Sequence, residues 1–197
     1  MSGSDINYDE AMVRWEPDSR GRLEQAALAL FGELGFEETT VAAIAQRAGV
    51  TERTFFRHFA DKREVLFGGG TALQDAIVGG VREASPDLPP LAAVAEGFAA
   101  AAELLQGRRQ FALARSEIIA ANPGLQEREL IKLASIAAAV GETLRARGVD
   151  EPDASLAAQL GVAAFHSAFG QWVATADAPA LSELISEAFG RVAALTS

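Results

Sequence analysis

Charged and hydrogen-bonding side chains are concentrated in the first third of this chain, on a segment that could contact a nucleic acid. Phe55 and Phe59 lie one helical turn apart, so they are expected to pack inward as a pair. At about 100° per residue, the opposite side of that helix carries Arg53, Thr54 and Arg57. The margins of this face are occupied by Glu52, Phe56 and His58. A short helix with two outward arginines suits the major groove of DNA.

Two short helices joined by a tight turn are predicted to position these side chains. Thr40 can cap the first helix, in which apolar residues recur at the spacing of an amphipathic helix up to about Ala48. Gly49 stands where a helix needs a left-handed residue in order to end, and Val50 follows as the apolar plug of the corner. Thr51 can then cap the second helix.

A capping box opens the next helix. Asp61 is expected at the N-cap and Glu64 at the third helical position, where each can bond the other's backbone. Lys62 then stands beside the positive end of a helix, which is a common way to hold a phosphate. The helix is predicted to continue toward Glu83, with an interruption at Gly68–Gly70 because glycine weakens a helix interior.

The sequence pattern of this segment resembles that of a known family. Residues Phe31–Thr40 are F-G-E-L-G-F-E-E-T-T, and residues Ile44–Lys62 are I-A-Q-R-A-G-V-T-E-R-T-F-F-R-H-F-A-D-K. Over roughly Arg20–Phe67 the chain thereby resembles the TetR family of transcriptional regulators. One departure is Phe56, which stands where the family usually has tyrosine, so a hydroxyl that could reach a phosphate is missing. An apolar contact to a sugar or a thymine methyl remains possible there.

The resemblance and the helix geometry together assign contacts to DNA. Arg53 and Thr54, and then Arg57, are expected to contact bases, and Glu52 can accept a hydrogen bond from a cytosine amine. The residues expected to position the DNA backbone are Thr40, Thr51, Phe56, His58 and Lys62. For His58 a buried structural role is the alternative.

Composition is compatible with such a role. The chain has 197 residues, a formal net charge of −10 and no cysteine, which excludes disulfides and thiolate metal sites and fits a reducing cytoplasm. Residues 39–67 are nevertheless net positive, with five basic residues against three acidic ones. No signal peptide pattern and no apolar run of about 20 residues is visible, so a cytoplasmic protein is expected.

The chain is predicted to be all-α, with about nine helices. Residues 1–18 are expected to form a flexible arm, residues 19–67 a three-helix DNA-binding domain, and residues 68–197 a larger helical domain. Breaks between helices are predicted near Gly107, at Asn122–Pro123, at Gly148–Pro152 and at Asp177–Pro179. In the resembling family, the helix interrupted at Gly68–Gly70 links the two domains, so the interruption is either a hinge or a loosely packed stretch.

The resemblance implies that the C-terminal domain encloses a pocket for a small effector and forms a homodimer. The residues proposed to line the pocket are Phe98, Phe111, Phe165, Phe169 and Trp172, with Arg115 or His166 as polar anchors. Ordinary core packing is the alternative for each of them. An apolar lining favours an apolar or aromatic effector, with an anionic head as one option.

The last two helices carry apolar stripes that are expected to pair with their copies in a four-helix bundle. One stripe consists of Ala157, Gly161, Ala164 and Ala168, with Phe165, Phe169 and Trp172 beside it. The other consists of Leu181, Leu184, Ile185, Ala188, Phe189, Val192 and Leu195. Burial inside the core of a single chain would produce the same pattern.

These features predict a sequence-specific DNA-binding regulator, a repressor released from a palindromic operator by an effector. No enzyme activity, cofactor or metal is expected, because His166 lacks the sequence frame of a hydrolase triad and enough companions for a metal site. One alternative is a small-molecule binding protein whose vestigial DNA-binding head acts through a protein partner. A DNA-binding protein that needs no ligand is another.

Overall fold

The protein is all-helical over residues 18–195, which are the residues that the computed structural model describes. The helices are α1 (Ser19–Leu34), α2 (Val41–Arg47), α3 (Glu52–His58), α4 (Glu64–Phe67), α5 (Gly70–Glu83), α6 (Pro90–Gln106), α7 (Arg109–Ala120), α8 (Pro123–Ala146), α9 (Glu151–Ala174) and α10 (Leu181–Leu195). The all-α prediction is confirmed. The described part of the chain has ten helices instead of about nine because the helix expected from Lys62 to Glu83 is split into α4 and α5. None of them is long and apolar enough to cross a membrane.

The chain divides into two compact units, with the boundary between Val65 and Leu66. The sequence analysis placed this boundary after Phe67. The arm predicted for residues 1–18 lies outside the described residues except for Asp18, which caps α1 by accepting a hydrogen bond from the Gly21 amide.

The first unit is a three-helix domain around a small apolar core. Helix α1 buries Leu23, Ala27 and Leu30, and Ile44 of α2 is fully buried. The hydroxyl of Thr39, which is 1% exposed, lies 2.8 Å from the carbonyl oxygen of Gly35 and 3.2 Å from that of Leu30, and it can donate to either. Either hydrogen bond fixes the loop between α1 and α2, and so helps to set where α2 begins.

Helices α5 and α6 of the second unit approach each other unusually closely. A Cβ atom added to Gly97 would lie 2.5 Å from the carbonyl oxygen of Ile77, and one added to Gly80 would lie 2.8 Å from the Cα atom of Gly97. Two glycines therefore face each other where the helices cross, and any side chain there would separate them. Around this crossing, α6 also packs on α9 and α10.

The predicted breaks between helices are all observed. Gly148 adopts φ of 89° just beyond α8, which confirms it as a helix stop. Asn122 and Pro123 stand at the predicted start of α8, but the Asn122 side chain does not cap that helix. Its amide instead donates to the carbonyl oxygen of Ile118 at 2.6 Å, so it closes the end of α7.

The apolar stripes of the last two helices are used inside the second unit. Ala157, Ala164 and Ala168 of α9 are buried, as are Leu184 and Ile185 of α10. Gly161, in the same α9 stripe, has no room for a side chain because Val94 and Phe98 of α6 pack directly on it. The small residues thus allow close approach within one chain. Pairing between copies would need the opposite faces of α9 and α10.

Candidate DNA-recognition surface and ligand cavity

One side of helix α3 is buried through aromatic rings, and the other side exposes charged groups. Phe55 and Phe59 are buried, with ring centroids 5.5 Å apart, as the sequence spacing predicts. Arg53 and Arg57 are exposed, and Phe56 beside them keeps 55% of its surface in solvent. The outward face of α3 therefore offers two guanidinium groups and an uncovered aromatic ring to a partner.

The turn before α3 has the geometry of a rigid corner. Gly49 adopts φ of 67°, in the left-handed region that favours glycine. The amide of Val50 donates to the carbonyl oxygen of Ala45 at 2.9 Å, which closes the turn after α2. The angle between α2 and α3 is thus set by local hydrogen bonds, and this angle determines how α3 is presented.

The three threonines of the predicted surface hold the helix ends. The hydroxyl oxygen of Thr40 accepts from the Ala43 amide at 3.1 Å, and that of Thr51 accepts from the Thr54 amide at 3.2 Å, so both predicted caps are confirmed. The hydroxyls of Thr51 and Thr54 also share a hydrogen bond of 3.1 Å. Glu52 opens α3 and is exposed. The contacts of these side chains with DNA remain predictions.

His58 is engaged inside the first unit. Its Nε2 atom forms a hydrogen bond of 2.8 Å with the hydroxyl of Ser19, the first residue of α1, which is only 4% exposed. The side chain is half-buried. Of the two roles considered for His58, the structure favours the structural one, because the ring ties the end of α3 to the start of α1.

Lys62 occupies a different place from the one that its helix position suggested. Its ammonium donates to the backbone carbonyl oxygens of Phe36, Glu37 and Thr39, at 2.7, 2.9 and 3.1 Å. It also lies 4.6 Å from the centroid of the Phe36 ring. An ammonium has three N–H donors, so this arrangement leaves none for a phosphate. Contact with DNA through Lys62 stays a prediction, and the structure favours a clasp on the α1–α2 loop. One half of the predicted capping box is confirmed, since Asp61 accepts from the Glu64 amide at 3.0 Å, but α4 begins at Glu64 and not at Lys62.

A cavity of about 100 Å³ lies in the second unit among α5, α6, α7, α8 and α9. Five of the seven residues predicted for an effector pocket line it, and they are Phe111, Arg115, Phe165, His166 and Phe169. The sequence analysis missed several other lining residues, including Arg108, Glu129, Lys132, Leu133 and Ile136. A signal for four of these was present, because residues 129, 132, 133 and 136 share one face of α8 at helical spacing.

The other two predicted pocket residues lie behind the cavity wall. Phe98 is fully buried and stacks on Phe165 with centroids 5.1 Å apart. Trp172 is 1% exposed, with its ring 5.8 Å from that of Phe169. Neither lines the cavity. Their assignment to the lining is therefore corrected: both belong to the core, where they support the two aromatic rings that do face the cavity.

His166 is exposed at the edge of the cavity. The alternative of a core histidine is thus excluded, whereas a role toward a ligand or a partner chain stays open. Within residues 18–195 no group of three or more histidine, aspartate or glutamate side chains is placed to hold a metal ion.

A partly buried ion pair forms one wall of the cavity. Arg115 is 8% exposed and donates to both carboxylate oxygens of Glu129, at 3.2 and 2.5 Å. Its Nε atom donates to the carbonyl oxygen of Leu66 at 2.6 Å. Two guanidinium groups lie over the Phe67 ring, with that of Arg115 5.0 Å and that of Arg128 5.1 Å from its centroid. Arg115, which lines the cavity, thus contacts the first two residues of the second unit, Leu66 and Phe67.

Glu129 is expected to give the second unit an acid-sensitive stability. Burial alone would raise the pKa of Glu129, but the hydrogen bonds and charge of Arg115 outweigh it and hold the pKa below the ordinary 4.5. A lowered pKa stabilises the fold above the ordinary value, and that stability is lost as the pH falls further. In Glu129→Gln we expect the free energy of unfolding at pH 7 to fall by about 2 kcal/mol, and the difference from wild type to shrink below about pH 4.5. Urea unfolding at several pH values measures this, with the exposed Glu127→Gln as control. A difference independent of pH would contradict the assignment.

Lys132 is one of two cavity cations that were not predicted from the sequence. Burial, followed by repulsion from Arg115, lowers the pKa of its ammonium, and attraction to Glu129 offsets only part of this. A Cβ atom added to Gly70 would lie 3.2 Å from the Lys132 Cε atom. The last glycine of the Gly68–Gly70 run therefore leaves space for the lysine stem, a role that neither earlier interpretation of the run included.

The fold and the two surfaces define a class of protein: a helical protein with a helix-turn-helix unit and a larger unit that contains a cavity. Two family models match the chain. One, described as bacterial regulatory proteins of the tetR family, matches residues 24–67, and the other, described as the MftR C-terminal domain, matches residues 88–196. The chain belongs to the TetR family.

Individual relatives agree with this assignment. TcmR of Streptomyces glaucescens, an HTH-type transcriptional regulator, is 39% identical over 82 residues, 42% of this chain and 36% of that protein. The transcriptional repressor KstR2 of Mycobacterium tuberculosis is 43% identical over 47 residues, 24% of each chain. The chain thus matches about a third of the length of the first relative and a quarter of the second.

Solved structures match over nearly the whole chain. Thermus thermophilus FadR, a TetR-family repressor solved in complex with lauroyl-CoA, is 25% identical, with a TM-score of 0.55 over 88% of this chain and 93% of that one. SmeT, solved with triclosan, has a TM-score of 0.63 over 90% of each chain. At 19% identity the likeness to SmeT concerns the fold alone.

Proposed function

We propose that this protein is a transcriptional regulator that binds a specific DNA sequence and changes its affinity when a small molecule enters the cavity. The observation that carries the proposal is the outward face of α3, with exposed Arg53 and Arg57 beside Phe56. Family membership supports it, and the repressor names of KstR2 and FadR favour a repressor. Since its target is DNA, the protein is proposed to act in the bacterial cytoplasm.

Base contacts are assigned first to the two arginines of α3. A guanidinium can donate two parallel hydrogen bonds to a guanine in the major groove, and Arg53 lies on the first turn of α3, the part that usually reaches the bases. Arg57, one turn later, is the second candidate. Thr54 is less suited than the sequence indicated, because its hydroxyl already shares a hydrogen bond with Thr51. Glu52 remains the acceptor for a cytosine amine.

Arg53→Ala is expected to relax the sequence preference of the protein at one base position by about 1–3 kcal/mol. Competition binding with operator variants measures this as the loss of discrimination at that position. The control is Arg63→Ala, which removes the same charge from an exposed arginine that pairs with Asp61 at 2.8 Å. It should leave base preference unchanged. If both variants weakened all sequences alike, Arg53 would be a contact to the DNA backbone.

A homodimer is proposed to present two copies of α3 to successive major grooves. The faces of α9 and α10 that do not point into the second unit carry small or polar exposed residues, among them Ala163, Ser167 and Gly170 of α9 and Ser186 and Gly190 of α10. Such faces allow two copies to approach closely. A two-fold axis implies an approximately palindromic operator with half-sites about 34–36 Å apart.

Effector control is supported by the contacts of the cavity wall. Arg115 lines the cavity and also holds the Leu66 carbonyl oxygen and the Phe67 ring. A ligand that moved this guanidinium would alter the start of the second unit, where the chain enters from the DNA-binding unit. Ligand occupancy would thereby favour a different arrangement of the chain there.

Binding of the purified protein to fragments of its own upstream DNA, across a salt series, tests the proposed function. Saturable binding to one fragment, with affinity that falls steeply as salt rises, is the expected result. A half-site and the full palindrome tested side by side report on the dimer. Equal affinity for all fragments, with a folded protein, would favour the alternative in which the DNA-binding head is vestigial and acts through a protein partner.

A further inference from the structure

The cavity contains a cation that no side chain of the described residues pairs with directly. Within residues 18–195, the ammonium of Lys132 makes no hydrogen bond and no ion pair, although its pKa is lowered by burial. Glu129, the acid that attracts this ammonium, is held by Arg115 through both carboxylate oxygens. Arg108 also lines the cavity, with its guanidinium 4.3 Å from the centroid of the Phe111 ring. A partly buried charge is costly without a counter-charge, so this arrangement favours an anion in the cavity.

The surface next to Lys132 is aromatic. Phe165 and Phe169 line the cavity with ring centroids 5.8 Å apart, and Phe111 lines it from α7. Phe165 is held in place by stacking on the fully buried Phe98. Rings that are fixed by the core offer flat contacts, and an aromatic ligand gains most from such contacts.

The volume of the cavity limits the size of the ligand. It measures about 100 Å³, whereas an engineered apolar cavity of about 150 Å³ takes up one benzene molecule. The cavity is smaller than that, so it takes up at most part of a single ring and does not enclose a long acyl chain. His166, which also lines the cavity, is exposed.

We propose that the cavity binds a small aromatic carboxylate, with its ring against Phe165 and Phe169 and its carboxylate paired with Lys132. The proposal rests on the effector-binding function proposed above and names the class of ligand. Gly70 contributes by leaving space for the stem of the lysine.

Calorimetric titration of the full chain without DNA tests this inference, with benzoate and phenylacetate as the probes. Benzyl alcohol serves as the neutral match, and octanoate and laurate as aliphatic acids. The aromatic acids are expected to bind at least 10-fold more tightly than benzyl alcohol, since a charge-assisted hydrogen bond is about twice as strong as a neutral one. They are also expected to bind more tightly than either aliphatic acid.

Two variants locate the carboxylate. Lys132→Met keeps the length of the side chain. It is expected to weaken the binding of benzoate by 10-fold or more and to leave the binding of benzyl alcohol unchanged. Gly70→Ala crowds the lysine stem and should weaken benzoate by a smaller factor. Thermal unfolding of each variant verifies that it is folded. Equal binding of benzoate to wild type and Lys132→Met would overturn the proposal, as would preference for the aliphatic acids or no binding of either aromatic acid. Because no DNA is present, these outcomes are separate from failure to bind an operator.

Discussion

Gly97→Ala is expected to destabilise the second unit by roughly 3 kcal/mol, because overpacking a tight core costs about 1–3 kcal/mol and here meets backbone atoms. The new methyl group would lie 2.5 Å from the Ile77 carbonyl oxygen and 2.6 Å from Val81 Cγ2. A backbone oxygen inside α5 cannot move without displacing the helix. Relief therefore requires α5 and α6 to separate, which loosens the core around them. Urea unfolding of the second unit, followed by circular dichroism, measures the loss.

Two neighbouring glycines of α5 provide a matched control for this prediction. Gly80→Ala places its Cβ 2.8 Å from the Cα atom of Gly97, whereas Gly79→Ala meets nothing within 4 Å. The first should destabilise the unit, and the second should stabilise it by about 0.5–1 kcal/mol, since alanine is the better helix former. If all three variants gained stability alike, the close approach of α5 and α6 would be contradicted.

Lys62→Met is expected to destabilise the first unit by about 2 kcal/mol. The substitution removes a charged donor from three backbone carbonyl oxygens and ends the contact with the Phe36 ring. Hydrogen bonds to charged groups contribute about 1.5–3 kcal/mol each when buried, and the half-exposed position of Lys62 reduces this. Thermal unfolding of the variant measures the change. The neighbouring Arg63→Met, at an exposed ion pair with Asp61, should cost at most about 0.5 kcal/mol.

The salt dependence of DNA binding separates the two roles considered for Lys62. If Lys62 neutralises a phosphate, its removal should reduce the steepness of the plot of log affinity against log salt concentration by about one unit. A lysine that clasps the α1–α2 loop leaves this slope unchanged and lowers the stability instead. We expect the second result. A flatter slope with unchanged stability would instead indicate that Lys62 contacts a phosphate.

Much of the fold follows from patterns within a few residues. The caps at Thr40 and Thr51 and the left-handed Gly49 are local hydrogen-bond and backbone preferences, so they could be predicted before any tertiary contact was known. Phe55 and Phe59 are buried as their spacing requires. The same reasoning placed the breaks in the second unit.

The candidate sites could be predicted only in part. Five residues that line the cavity could be predicted from the sequence, but the three phenylalanines among them could not be distinguished from Phe98 and Trp172, which are equally aromatic and lie in the core. Glu129 and Lys132 were missed because a charged residue on a helix face is usually solvated. Only the packing of α7 against α8 brings Arg115 to Glu129.

By itself, the sequence determined the helical class, most of the helix boundaries and the outward face of α3, because each depends on interactions within one or two helical turns. The tertiary structure alone decided which partner each long side chain meets. Lys62 reaches carbonyl groups more than twenty residues away in the chain, and His58 reaches Ser19. The stripes of α9 and α10 turn inward because α6 packs against them. An apolar stripe specifies that a face must be buried, but its partner is set by the arrangement of the whole chain.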